Sequence, residues 1–467
     1  MVGCKPQYKI IANNKKISNI KKIITMKSLN YIKHISLCFL GLLVINCVKT
    51  EPLDIEKDYK QQLTQRAQQE QQREAEAKAK AEAEAQKKWE AYYKMLTEYK
   101  QKAWANTGEK PFIYMWWTGW RAADGLERTW LQSIPDTTTA ISLWGGYGKQ
   151  PADMTDNEKY DLEVFHKKGS KVFLCWQVSN VGQGLPNEGN KSGFTLFREK
   201  YGEEKDSDNE TYRCQIYARE LARYIIACGL DGFDIDWEPT IGNHNYYSYN
   251  EFASGSSTNG YQKNMDTFIR EIGKYFGEKY SGEQRKQYLR ELFDENHTGY
   301  HQKEKEYIKA YKPFFEKGNY AEKKYCLLFD GQYEKLINTD DVDSYISKYI
   351  MQDYGDNRVG SPFTSNPYKS VSTSEFEKGS YLSIIVKAKA TKIGTVGGVG
   401  SYHGELDYSF SAESSLFKGY MESNKISGRK YKHYAWLREA IRIIDPRSNE
   451  EYKDFKEEIT INKPNKK

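Results

Sequence analysis

The stretch Leu230-Asp231-Gly232-Phe233-Asp234-Ile235-Asp236-Trp237-Glu238-Pro239 sets four carboxylates two or three positions apart among large apolar residues. Side chains alternate faces along a strand, so Asp234, Asp236 and Glu238 line one side while Phe233, Ile235 and Trp237 line the other. At ~3.3 Å of rise per residue, Asp236 and Glu238 stand ~6.6 Å apart along the strand, with Glu238 nearer its C-terminal end. An apolar opposite face turns the acids into a lumen or cleft. An unpaired carboxylate in such a site tends to hold its proton, the state a general acid needs near neutral pH. Two other readings compete. A solvated acidic edge strand is at odds with a large apolar residue between every pair of acids, and an Asp-x-Asp metal site lacks accompanying histidines and calcium-loop glycine spacing. The row therefore predicts proton transfer with neither metal nor cofactor.

The run Asp231, Asp234, Asp236 and Glu238 resembles the Asp-x-x-Asp-x-Asp-x-Glu signature of glycoside hydrolase family 18, the chitinases and endo-β-N-acetylglucosaminidases. The resemblance spans roughly residues 110 to 446. It implies an α/β fold, a (β/α)8 TIM barrel with the motif on its fourth strand. It also implies that Glu238 is the proton donor, that Asp236 orients the substrate's acetamide, and that Asp234 shares a proton with Asp236 deeper in the barrel. In this family the substrate's own 2-acetamido oxygen attacks the anomeric carbon, so no protein nucleophile is expected.

Three departures from the chitinase pattern bear on the substrate. The third strand, Val172-Phe173-Leu174-Cys175-Trp176-Gln177, lacks the Ser-x-Gly-Gly of chitinases, and Gly397 to Tyr402 offers no tryptophan for a chitin subsite. Met351-Gln352-Asp353-Tyr354 looks like the Gln-x-Tyr of endo-β-N-acetylglucosaminidases. The resemblance thus implies cleavage of the N-glycan chitobiose core, with Gln352 and Tyr354 holding the acetamide. A chitinase or other β-1,4-GlcNAc hydrolase is the alternative. A glycan-binding protein on an inactive barrel is a second, although it would keep the aromatics and lose the acids.

Substrate-binding candidates are Asp231, the strand-end aromatics Trp116, Trp117, Trp144, Trp176 and Tyr402, and Tyr246 and Tyr247 of a polar aromatic loop. A tryptophan at a strand end serves equally well as core, and the loop tyrosines serve equally well as surface residues.

The elements that must position these residues read as short apolar runs alternating with helical patterns. Strands are predicted near Phe112 to Trp116, Thr139 to Leu143, Lys171 to Trp176, Gly232 to Trp237, Tyr325 to Phe329, Tyr349 to Tyr354, Leu382 to Val386 and Thr395 to Tyr402. Eight runs suit a closed barrel. Tyr217, Leu221, Tyr224, Ile225 and Cys228 share one helical face before the motif, and Gly229 follows as a stop. Pro239 to Lys324 is far longer than a usual βα connection, an extended insertion with helices near Tyr261 to Phe276 and Arg285 to Phe293. Tyr434 to Ile444 closes the barrel as a last helix. Gly145 to Gln150 and Gly397 to Gly404 lack the context of nucleotide-binding loops and read as glycine turns.

The barrel domain takes in residues 106–450. Residues 48–105 read as a charged helical tether: Asp54 to Lys88 is nearly all Glu, Lys, Gln, Arg and Ala. Trp89, Tyr92, Tyr93, Leu96 and Tyr99 then recur at helical spacing, a stripe better suited to packing than to sugar binding. Residues 451–467 form a polar tail.

The 467 residues carry a net charge of +6, but six lysines and no acid fall within residues 1–25. Without them the surplus vanishes, and with it any electrostatic case for nucleic acid. Met26 makes a better start than Met1: Lys27 and Lys33 precede an apolar run, Ile35 to Ile45, of secretory length. Residues 1–47 then form a leader ending at Cys47 in a lipobox-like Leu43-Val44-Ile45-Asn46-Cys47. The expectation is an exported lipoprotein of the cell envelope, at the outer-membrane surface. It would hold the membrane through lipid on Cys47 and meet N-glycans of glycoproteins beside the partner proteins of a surface glycan-uptake complex. Cys175, Cys214, Cys228 and Cys326 sit in apolar patterns without metal-ligand spacing and read as buried thiols or at most one bridge.

Overall fold

The computed structural model describes residues 54–202, 207–241, 251–253, 260–355, 357–446 and 463; Cys47, Tyr246 and Tyr247 lie outside them. Two compact units divide at Gln86 and Lys87. The first contains most of helix α1 (Asp54–Trp104), whose side chains are exposed from Lys57 to Gln86, as a sequence with no apolar face dictates. Among the described residues no helix is long and apolar enough to cross a membrane.

In the second unit the end of α1 buries Tyr92, Leu96 and Tyr99. Tyr92 donates to Asp136 at 2.8 Å, and the Lys100 ammonium donates to Lys168 O and Ser170 Oγ, both at 2.6 Å. The aromatic stripe is packing.

Eight parallel strands close into a barrel in chain order: β1 (Phe112–Trp117), β2 (Ala140–Trp144), β3 (Lys171–Gln177), β4 (Gly232–Trp237), β5 (Cys326–Gly331), β6 (Lys348–Met351), β7 (Ser370–Glu375) and β8 (Gly398–Tyr402). The β1–β8 pairing seals it. The helices are α2 (Asp156–Lys167), α3 (Gly193–Tyr201), α4 (Ser207–Ala227), α5 (Tyr261–Phe276), α6 (Gly282–Leu292), α7 (Glu304–Lys317), α8 (Thr339–Asp343), α9 (Ser383–Lys392), α10 (Ser415–Ser423) and α11 (Ala435–Ile444). This is the TIM barrel that the pattern predicts.

Alternation along the strands makes two cores. Met115 and Trp117 of β1, Leu174 and Trp176 of β3, and Phe233, Ile235 and Trp237 of β4 pack against the helices. Tyr114, Trp116, Phe173, Cys175, Leu328 and Ile350 fill the lumen. Burying a side chain such as Phe233 contributes about 2 kcal/mol, so a register slip that turned the acids of β4 outward would forfeit several such terms at once. Gly229, at φ +73°, ends the helix before β4 as predicted.

The seventh strand is not where the apolar run predicts it. Leu382 to Val386 opens helix α9, which buries Ile384, Ile385 and Ala388, and β7 is instead Ser370–Glu375. Five of the six β7 residues are polar, and three of them bond internally: Thr373 to Met351 O at 2.7 Å, Ser374 with Ser383 at 2.7 Å, and Ser372 with Asp353. A strand stabilised by side-chain partners from elsewhere carries no local apolar signature. Strand β6 is also shorter than expected, so Gln352 and Tyr354 lie just past its end.

Among the described residues, the insertion after β4 holds three α-helices where two are predicted. Charge-rich α7 carries an internal proline, Pro313, and is held by tertiary contacts, notably Glu304 paired with Arg219 and Arg223 at 2.7 and 2.8 Å. Cys175, Cys214, Cys228 and Cys326 are buried and form no disulfide.

Candidate active site

Strand β4 directs its acids into the lumen in a graded series. Asp234 is the deepest and is fully buried. Its Oδ2 accepts hydrogen bonds from the Tyr114 hydroxyl, from Ser142 Oγ at 2.8 Å and from Trp116 Nε1 at 3.1 Å. Burial pushes this carboxyl up to about 6, against the pull of those donors.

One step nearer the mouth, Asp236 stands in register with Asp330 of β5. Gln352 Nε2 donates to Asp330 Oδ1 at 2.7 Å and lies 3.4 Å from Asp236 Oδ1. Burial, and then the charge of Glu238, hold Asp236 well above the ordinary carboxylate range; burial, and then Asp236, do the same to Asp330. The approach of the strands depends on Gly331, at φ +97°, where a Cβ would fall 2.2 Å from Trp237 O.

Glu238 follows the last residue of β4 and is the least buried acid of the row. Its Oε2 accepts from Gln177 Nε2, at the end of β3, at 2.8 Å.

Around these acids stands an aromatic wall. The Tyr354 ring is 6.2 Å from Trp116 and 5.6 Å from Tyr402, and Tyr402 is 5.6 Å edge-on from Trp144. Burial, then Asp330 and Asp236, raise the Tyr354 hydroxyl well above its ordinary value, so it stays a neutral donor facing the acids. A carboxyl at the rim, a carboxyl pair below it and aromatic faces alongside form an arrangement able to protonate a leaving oxygen and stabilise a positive charge next to it.

Among the described residues, Cys175, Asp234 and Asp330 bring ligand-type atoms within 4.8 Å of one another. They fit a metal poorly. Burial pushes the Cys175 thiol up, so it keeps its proton and is a poor ligand, and Asp234 Oδ2 already accepts from three donors.

Residues 71–289, which include the whole acidic row, match the family described as "Glycoside hydrolase family 18, BT1044-like". The matched stretch belongs to glycoside hydrolase family 18. No curated protein matches the chain. Among solved structures, a selenomethionine glutamate-to-glutamine variant of BT1044 aligns at 21% identity and TM-score 0.48, covering 77% of this chain and 93% of its own. An endo-β-N-acetylglucosaminidase from Cordyceps militaris aligns at 15% identity and TM-score 0.40, covering 74% and 95%. EndoBT-3987 of Bacteroides thetaiotamicron, with a Man5GlcNAc product, aligns at 12% and 0.32, covering 63% and 56%.

The lumen of the barrel gathers Asp234, Asp236, Glu238, Gln352, Tyr354, Trp116, Trp144 and Tyr402. Three candidates lie elsewhere. Asp231 precedes β4 at the opposite end of the barrel, where His166, Lys171 and Lys323 approach it at 2.8, 3.4 and 3.2 Å and hold its carboxyl well below the ordinary range. Its place is a structural ion cluster, not a sugar site. Trp117 and Trp176 face the helices, Trp176 packing 4.8 Å from Phe233, because each is one residue out of phase with the lumen-facing positions.

Asp330 is the acid that the sequence reading passes over. Its signal is present: like the acids of β4, it ends an apolar run, Cys326-Leu327-Leu328-Phe329, and precedes a glycine. Gln177, Tyr114 and Ser142 carry no such mark; only barrel closure brings them to β4.

Proposed function

We propose that this chain is an endo-β-N-acetylglucosaminidase that hydrolyses the GlcNAc-β-1,4-GlcNAc core of N-glycans on glycoproteins by substrate-assisted, retaining catalysis. The observation that carries this reading is the placement of Gln352 and Tyr354 beside the Asp236 carboxyl, within the Gln-x-Tyr pattern of that branch. Glu238, oriented by Gln177, donates its proton to the glycosidic oxygen as the C1–O bond breaks. The acetamide carbonyl oxygen closes on C1, and Asp236 accepts the acetamide N–H and balances the oxazolinium charge. Water then opens the ring, returning its proton to Glu238 with configuration retained. Trp116, Trp144 and Tyr402 offer stacking faces for the flanking sugars.

A mass spectrum of an N-glycosylated protein after incubation tests the substrate. A single GlcNAc left on asparagine is expected; intact glycoprotein alongside cleaved chitooligosaccharide would replace this reading with a chitinase. NMR of the first-formed product tests the mechanism, since an inverted anomer or a trapped glycosyl-enzyme would exclude it.

We also propose lipidation at Cys47 and display at the outer-membrane surface, supported by the leader from Met26. The wild type should partition into detergent and Cys47→Ala should not; a soluble, unlipidated wild type overturns this.

A further inference from the structure

The acid chain of the lumen is branched. Asp234 Oδ2 is saturated by Tyr114, Trp116 and Ser142, three donors that all favour its anion. Asp236 has another neighbour of its own kind: Asp330, its register partner across the β4–β5 ladder. Both are buried, with Asp330 fully so. Gln352 Nε2 reaches one oxygen of each, 2.7 Å to Asp330 and 3.4 Å to Asp236, and two buried like-charged carboxyls held this close favour keeping one proton between them. Oδ2 of Asp330 lacks any N–H or O–H donor among the described residues, and Gln352 donates to the pair from one side. No lysine or arginine is placed against Asp236 or Asp330 by any of the described ion pairs, so a shared proton is what relieves their repulsion.

We propose that Asp330 is a positioning residue for the reaction: it shares one proton with Asp236 and takes that proton over when Asp236 receives the substrate's acetamide. This rests on the substrate-assisted reading above. Before substrate binds, the pair carries one proton and one negative charge. When the acetamide N–H docks on Asp236, the shared proton passes to Asp330, and the negative charge collects on Asp236, facing the developing oxazolinium. The bond broken and the bond formed are the O–H bonds of Asp236 and Asp330, and no proton leaves the pair. Gln352 holds Asp330 in place during the shift. Glu238 remains the donor to the leaving oxygen, so the two proton transfers use separate acids.

The chemistry separates asparagine from alanine at this position. Asparagine has the shape of protonated Asp330: its amide N–H donates to Asp236, and its oxygen accepts from Gln352. Asp330→Asn should keep kcat within about tenfold of wild type with KM unchanged. Asp330→Ala should lower kcat at least about 100-fold, again with little change in KM. Any cleavable β-1,4-GlcNAc substrate serves, including a chitobioside with a chromogenic leaving group. Failure on glycoprotein with turnover of the chitobioside therefore removes the N-glycan reading alone. An Asp330→Asn variant as inactive as Asp236→Asn would overturn the inference, as would an Asp330→Ala variant that keeps wild-type kcat.

A direct readout needs no substrate. In protein labelled with 13C at the aspartate carboxyls, the Asp236 and Asp330 resonances should titrate together in two steps, and Asp330→Asn should leave Asp236 a single step. An Asp236 titration untouched by Asp330→Asn and altered by Asp234→Asn would assign the partner to Asp234 and overturn the proposal, even if Asp330→Ala fails to fold.

Discussion

Gln177, the last residue of β3, donates from Nε2 to Oε2 of Glu238 at 2.8 Å, bridging the ends of two adjacent strands. The bond fixes the rotamer of the acid at the lumen rim. Glu238→Gln should lower kcat by about 10²–10⁴-fold with folding and glycan binding intact, because the amide is isosteric and only proton donation is lost. Gln177→Leu should cost about 10- to 100-fold through misplacement of the acid. Steady-state kinetics decide: Glu238→Gln activity above about a tenth of wild type would remove Glu238 as the acid.

On the proposed mechanism, Asp236 separates oxazoline formation from oxazoline use. Asp236→Asn should slow hydrolysis strongly while still accepting a preformed sugar oxazoline, since the first step needs the charge and the donor bypasses it. A GlcNAc-thiazoline-terminated glycan should inhibit the wild type. Tyr354→Phe should reduce kcat more than it raises KM, and the opposite split would make Tyr354 a ground-state contact.

The two faces of β1 and its neighbours predict opposite phenotypes for tryptophans that look alike in the sequence. Trp144→Ala and Tyr402→Ala, in the aromatic wall, should raise KM several-fold with little loss of stability. Trp117→Ala, in the buried layer under the helices, should cost about 3–5 kcal/mol in denaturant unfolding with KM unchanged. A changed KM in a folded Trp117 variant would contradict its placement.

Glu220, buried between α4 and its neighbours, is raised from 4.5 to about 7, chiefly by burial and against the pull of Arg223, with Glu304 adding to the rise. Between those values it binds more protons folded than unfolded. Its contribution is therefore whole below pH 4.5 and is lost as the pH rises through 7. Glu220→Gln retains an oxygen to accept from Tyr201, whose hydroxyl lies at 2.6 Å. The unfolding free energy of wild type relative to this variant should fall by about 1–3 kcal/mol across that window. A difference that stays constant with pH would show that Glu220 does not carry the titration.

The acidic row of β4 was legible because a strand's period of two is a local property: large apolar residues at 233, 235 and 237 leave the acids only one direction to face. Most of the barrel was legible for the same reason, since its strands bury apolar side chains in short runs. Strand β7 was not, because Ser370–Glu375 is stabilised by partners as distant as Asp353 and Ser383, and no local pattern records a hydrogen bond made by tertiary contact. Phase was the other blind spot: Trp116 and Trp117 are neighbours of one type, and only the pairing of β1 with β2 and β8 decides which enters the lumen. Asp231 likewise sits in the motif by spacing but meets His166, Lys171 and Lys323 at the far end of the barrel. The chain's own order thus determined which acids could do chemistry. Closure of the sheet decided their partners, because Gln177, Asp330 and Gln352 reach Glu238 and Asp236 from 61 to 116 residues away in sequence.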